Sequence, residues 1–150
     1  MTTLKNSIAE ISISYRPKTT NPPQITTAED AREHLQPFFP DDNIALYERF
    51  IVGYLNRANK LIGVYEVSKG GMTSTVVDIR LILSVALKSA ATGIILAHNH
   101  PSGNLQPSIT DQKTTKRINE ACQLMDIKLL DHLIFSPGGT FLSFAEEGLL

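Results

Sequence analysis

Apolar positions along this chain recur with periods that divide it into elements. Near the start, Ile11, Ile13 and Tyr15 alternate with Ser12 and Ser14, which predicts a half-buried strand at residues 8–15. Residues 17–24, with Pro22-Pro23 and several Thr and Asn, read as a connector. Thr27 followed by Glu29 and Asp30 starts a helix with a cap and an acidic first turn; Ala28, Ala31 and Leu35 share its inner face, and Pro37 and Pro40 close it. His34 in that helix reads as a surface or boundary residue. Residues 50–55 and 61–67, joined by a polar turn, predict a hairpin. Residues 73–77 are β-branched and extended. Asp78 then caps a helix whose apolar positions Ile79, Ile82, Leu83, Val85, Ala86 and Ala90 recur at helical spacing.

Next, Ile94-Ile95-Leu96-Ala97 follows the Thr92-Gly93 break as a run of four apolar residues, the pattern of a strand buried on both faces. A later helix carries Ile118, Ala121, Cys122 and Met125 as its core stripe, with Lys113, Lys116, Arg117 and Glu120 outside. Residues 127–130 and 133–135 read as strands separated or bent at Asp131-His132. Residues 141–144 return after the Pro137-Gly138-Gly139 turn. The sum is an α/β domain with a mixed β-sheet flanked by helices. The strand and connector at 1–24 precede a single domain at 25–150.

Composition narrows the class without changing this layout. The chain has 150 residues, 42% hydrophobic and 19% charged, with a formal net charge of −1, which is ordinary for one globular domain. No basic excess suggests a nucleic-acid footprint. Cys122 is the only cysteine, so internal disulfides and cysteine zinc clusters are excluded; its helical spacing makes it a small core residue. There is no apolar leader pattern and no run long enough to span a bilayer, so a cytoplasmic location is the default expectation and no membrane partner is expected.

The chemistry concentrates after the buried strand, at His98-Asn99-His100-Pro101-Ser102-Gly103 and Ser108-Ile109-Thr110-Asp111. Alternation along a strand puts His98 and His100 on one side, and Pro101 keeps His100 extended. Pro107-Ser108 reads as a helix entry, placing Asp111 in the first turn. Two imidazoles and one carboxylate suit zinc with a fourth position left to water, the arrangement of a catalytic ion; iron, cobalt and manganese share the taste. Taken alone, Ser-x-x-Asp is also a near capping box, which would explain Ser108 and Asp111 by helix geometry.

His98-x-His100, seven residues, then Ser108-x-x-Asp111 resembles the JAMM signature of the JAB/MPN metalloprotease superfamily. The longer His98-Asn-His-Pro-Ser-Gly103 string, with Asp131-His132-Leu-Ile134 downstream, is similar to its RadC-like branch, over roughly the last two-thirds of the chain. The resemblance implies an MPN/JAB architecture (cytidine-deaminase-like) at residues 25–150. It further implies one Zn²⁺ per chain held by His98, His100 and Asp111, and Ser108 placed to donate to an oxyanion.

Hydrolysis of an amide also needs a group that takes a proton from water and returns one to the leaving amine. No Glu lies between Glu66 and Glu120, so that group comes from elsewhere in the chain; the candidates are Glu48 and Glu66, and the resemblance implies a Glu at the start of an apolar strand well upstream of the His pair. Glu48, before the apolar run Phe50-Ile51-Val52, is closer to the family's pattern. A charge beside an otherwise apolar run also needs a reason. Asp131-His132, which recurs in the RadC-like branch, either supports the metal ligands or faces substrate, or is a structural polar pair at a strand start.

The implied activity is a metallopeptidase or isopeptidase acting on a peptide or isopeptide-linked protein. The RadC-like branch also carries a DNA-repair label, which would bring a nucleic-acid partner that this sequence does not independently support. Some superfamily members are non-catalytic binding modules. Residues 69–75 and 102–107 are loops that could shape specificity.

Overall fold

The computed structural model describes residues 7–70 and 76–150. Among these residues, three α-helices and five strands follow in chain order: α1 Ala28–Leu35, β1 Arg49–Leu55, β2 Leu61–Lys69, α2 Ile79–Lys88, β3 Gly93–Asn99, α3 Ile109–Leu124, β4 Lys128–Phe135 and β5 Phe141–Ser143. One sheet holds all five strands in the order β2-β1-β3-β4-β5. The β3–β4 pair is parallel and the others are antiparallel, so the expected mixed sheet is present. Parallel neighbours need a crossover, and α3 supplies it.

Side-chain parity sorts the core into two layers. Phe50, Val52 and Tyr54 of β1 and Ile94 and Leu96 of β3 face α2 and α3, where Ile82, Ala86, Ile118 and Cys122 meet them. Ile51, Leu55, Ile95, Ala97 and Leu133 face the opposite side, against Ala31 and Leu35 of α1 and Phe39 and Ile44 beyond it. Every residue of β3 is buried, as its unbroken apolar run predicts. At Gly53 the neighbouring side chains press close: a Cβ there would stand 3.0 Å from Leu61 Cδ1 of β2 and 3.4 Å from Leu35 Cδ2 of α1. The Cys122 thiol is buried in the core, and burial pushes its pKa up to about 11. It packs as an inert small residue.

Three expectations need correction. Residues 8–15 form no strand; Ile8, Ile11 and Ile13 are 68%, 87% and 75% exposed. Tyr15 donates its hydroxyl to the Ile62 carbonyl of β2 at 3.2 Å. Alternation specifies two faces, but a strand also needs a neighbouring edge. Backbone pairing beside the start of β2 comes further on, where Leu61 N–H donates to the Pro23 carbonyl, Gln24 bridges Lys60 and Ile25 N–H donates to the Asn59 carbonyl. Second, Met125 is 48% exposed, because α3 ends at Leu124 and Asp126 turns left-handed (φ 54°). Thr115 takes its place in the buried stripe with Ile118 and Cys122.

Third, β4 is one strand with a bulge: Ile94 pairs with Leu129 and Ile95 with Asp131, leaving Leu130 extra. A bulge shifts side-chain phase by one residue. It therefore turns His132 toward α3 and Asp131 toward α1. The stretch expected at 73–77 lies mostly outside the described residues, as does most of the loop at 69–75.

Candidate metal centre

The three residues expected as ligands come from two elements. β3 delivers His98 at its penultimate position. His100 follows at the strand's end, its N–H donating to the Phe135 carbonyl at 2.9 Å, which continues the pairing with β4 by one residue. The turn beyond needs Gly103 (φ 86°), whose N–H donates to the His100 carbonyl. Pro107 is buried, and Ser108 caps α3 with Asp111 in the first turn.

The side chains converge closely. His98 Nε2 lies 3.0 Å from His100 Nε2 and 3.4 Å from Asp111 Oδ1, and His100 Nε2 lies 3.1 Å from Asp111 Oδ2. The group is a cluster of ligand atoms that could hold a metal ion. A tetrahedral zinc with bonds of about 2.0–2.1 Å separates its ligands by roughly 3.3 Å, which these spacings match.

Proton accounting strengthens the fit. His100 Nδ1 meets the Asn104 carbonyl at 2.5 Å. A carbonyl only accepts, so Nδ1 carries the proton, and in the neutral ring Nε2 presents a bare lone pair to the cluster. Asp111 also has only lone pairs to offer when ionised. Acceptors packed this closely, without a proton between them, call for a cation. In the metal-free protein a proton can serve as that cation. Burial works against the charged form of His100, but the Asp111 carboxylate and the Asn104 carbonyl outweigh it and hold its pKa above the ordinary value. Burial likewise opposes the Asp111 carboxylate, yet His100, His98 and the Ser108 N–H hold its pKa far below the usual range.

The capping box expected at Ser108 is present. Ser108 Oγ accepts the Asp111 N–H at 2.9 Å, and Asp111 Oδ2 accepts the Ser108 N–H at 2.9 Å. The cap uses a lone pair of Ser108 Oγ and leaves its proton free to donate. Capping and a donor role therefore belong to different atoms of one hydroxyl.

The two upstream carboxylates differ in their surroundings. Glu66 pairs with Ile51, which faces α1, and its carboxylate lies 3.9 Å from Arg49 Nε. Glu48 stands two residues before Phe50, whose ring stacks on His98 with centroids 5.9 Å apart. Glu48 is half-buried; burial raises its pKa, while the fields of His98 and His100 lower it and that of Asp111 raises it. The carboxylate thus shares an electrostatic neighbourhood with the cluster.

Asp131 and His132 separate by sheet face. Asp131 accepts from Ser143 Oγ at 2.6 Å and from Ala145 N–H at 3.0 Å, tying β4 to the turn after β5. His132 lies behind His98, with its Nε2 2.7 Å from His98 Nδ1. Complete burial, which penalises the charged ring, holds its pKa well below the ordinary value.

Asn99 carries a role that the sequence reading left unassigned. Fully buried between the two histidines, it accepts Arg49 N–H at 2.8 Å and donates to the carbonyls of Ile44 and Tyr47 at 2.7 and 3.0 Å. The segment bearing Glu48 is thereby fastened to the strand bearing His98. The available signal was an amide flanked by two candidate ligands at the end of a buried strand.

Fold and site together define a JAB-type domain with a metal-competent His-His-Asp cluster. The family model for the RadC-like JAB domain matches residues 25–149, and the chain belongs to that family. A UPF0758 protein of Flavobacterium johnsoniae is 43% identical over 126 residues, covering 84% of this chain and 53% of the relative. One from Porphyromonas gingivalis is 41% identical over 126 residues, covering 84% and 54%. Another from Thiobacillus denitrificans is 47% identical over 104 residues, covering 69% and 46%. The chain spans about half the length of the curated relatives it matches. Among the described residues, no helix is long and apolar enough to cross a membrane.

Proposed function

We propose that this domain is a zinc-dependent amide hydrolase of the JAMM type, a peptidase or isopeptidase acting on a peptide or isopeptide-linked protein. The observation that carries the reading is the convergence of His98, His100 and Asp111 at 3.0–3.4 Å, with the His100 proton held on the far side of its ring. When bound, zinc supplies Lewis-acid polarisation and lowers the pKa of water from about 15.7 toward about 7.

The chain's own residues do the rest. Glu48, half-buried and within the electrostatic field of the cluster, accepts a proton from the attacking water and returns it to the leaving amine. Ser108 donates its free hydroxyl proton to the carbonyl oxygen as negative charge develops there. Asn99 holds the Glu48 segment in register with the ligands.

Elemental analysis of the purified protein beside Asp111→Ala tests the reading first. One zinc per chain in the wild type and none in the variant is the expected result. No uptake by folded wild-type protein on adding zinc would defeat it. With zinc in place, Glu48→Gln is expected to keep the metal and lose turnover on any peptide or isopeptide the wild type cleaves.

A further inference from the structure

A chain of hydrogen bonds runs behind the ligands, from α3 through β4 to β3. The Thr115 hydroxyl donates to the Asp111 main-chain carbonyl at 2.7 Å. Thr115 Oγ1 lies 2.7 Å from His132 Nδ1, and His132 Nε2 lies 2.7 Å from His98 Nδ1. Thr115, His132 and His98 are all buried.

The direction of this chain is set at one end. A carbonyl can only accept, so the single proton of Thr115 is committed to Asp111. Thr115 Oγ1 then offers His132 only lone pairs, and His132 Nδ1 must be the donor. One proton remains to be placed between the two rings. On His132 Nε2 it would make a buried cation whose hydrogen-bond partners are a hydroxyl and another imidazole, with no counter-charge bonded to it, an expensive arrangement. On His98 Nδ1 both rings stay neutral, and His98 Nε2 is left bare at the cluster.

We infer that His132 and Thr115 are positioning residues that fix the tautomer of His98, so that the main chain of one ligand, Asp111, dictates which nitrogen another ligand presents. This rests on the metal-site reading above. The two histidines reach the same state by different routes: His100 through one carbonyl, His98 through a relay that closes back on Asp111. Aromatic neighbours hold the relay's rings, Phe50 stacked on His98 at 5.9 Å and Phe144 on His132 at 4.6 Å. The Leu130 bulge places His132 on this face.

Long-range nitrogen–proton spectra of metal-free, ¹⁵N-histidine-labelled protein read each ring nitrogen directly. At neutral pH, His98 and His132 are expected to be protonated at Nδ1 and bare at Nε2; a proton on His98 Nε2 would overturn the inference. Thr115→Val removes the directing hydroxyl with little change in shape, and a mixture of tautomers should appear at both rings. An unchanged pattern would count against the relay.

Zinc affinity by chelator competition gives the second reading. His132→Phe is expected to weaken binding by about 10–100-fold, and His132→Gln, whose amide oxygen can still accept from His98, to stay within about 3-fold of wild type. Equal affinity in wild type and a folded His132→Phe would sink the proposal. Should His132→Phe fail to fold, Thr115→Val carries the affinity comparison by the same criterion. If the wild type takes no zinc at all, the hydrolase reading fails, and the nitrogen spectra still decide the tautomer.

Discussion

Two helices of this domain begin with the same device and serve different ends. At α1, Thr27 Oγ1 accepts the Asp30 N–H while the Asp30 carboxylate accepts the Thr27 N–H, each at 3.0 Å. At α3, Ser108 and Asp111 make the same reciprocal pair at 2.9 Å. Asp30 is solvated and spends its remaining capacity on Thr26, and those backbone and side-chain hydrogen bonds bring its pKa down to about 2. Asp111 faces two imidazoles delivered by β3. A capping box is therefore no guide to function by itself. What arrives opposite the carboxylate decides whether it merely ends a helix or also gathers a cation.

The largest separation between the two caps should come from removing one charge. Asp111→Asn retains an amide oxygen for the cap but should weaken zinc binding by more than about 100-fold, beyond the loss typical of outer-shell changes. Asp30→Asn should leave zinc stoichiometry untouched. Equal zinc affinity in wild type and Asp111→Asn, measured by chelator competition, would erase the distinction drawn here.

Removing the hydroxyls comes next. Ser108→Ala and Thr27→Ala should each cost about 1 kcal/mol in denaturant unfolding. Only Ser108→Ala should also slow amide hydrolysis, by about 100-fold or more. Equal turnover in the two variants would reduce Ser108 to a helix cap.

Acidity separates the caps more gently. The His100 pKa is raised in the folded, metal-free protein, so protonating that ring favours folding. Its contribution is fully present below the unfolded value near ~6.5 and fades as pH rises through the folded value. The zinc-loaded protein should show the reverse slope, because protons displace the ion as pH falls. Thermal melts of both forms across this range check the opposed trends. At α1, the contribution of Asp30 should hold above the ordinary carboxylate value near ~3.9 and disappear as pH falls toward about 2. Asp30→Asn should remove that acid dependence and nothing else, the smallest of these effects.

Much of the layout was legible in short-range pattern. The run Ile94-Ile95-Leu96-Ala97 marks β3 because a strand buried on both faces has no polar positions to spare. The phase that carries Ile94 and Leu96 toward α3 carries His98 there as well. Pairing between strands was harder to see. The Leu130 bulge exists only relative to Ile94 and Ile95, so nothing local in Leu129-Leu130-Asp131-His132 declares which of the last two faces the ligands. The alternation at Ile11, Ile13 and Tyr15 misled for the same reason, since it carries no information about an available edge.

Asn99 has a mechanical consequence. Its backbone lies between two ligands, while its side chain grips the segment that ends in Glu48. A shift of the end of β3 would carry His98 and His100 together with the segment bearing Glu48. Strand breathing is then common-mode, and the spacing between them varies less than the position of either. Asn99→Ala would uncouple the two, letting them move against each other while the three ligands themselves stay intact.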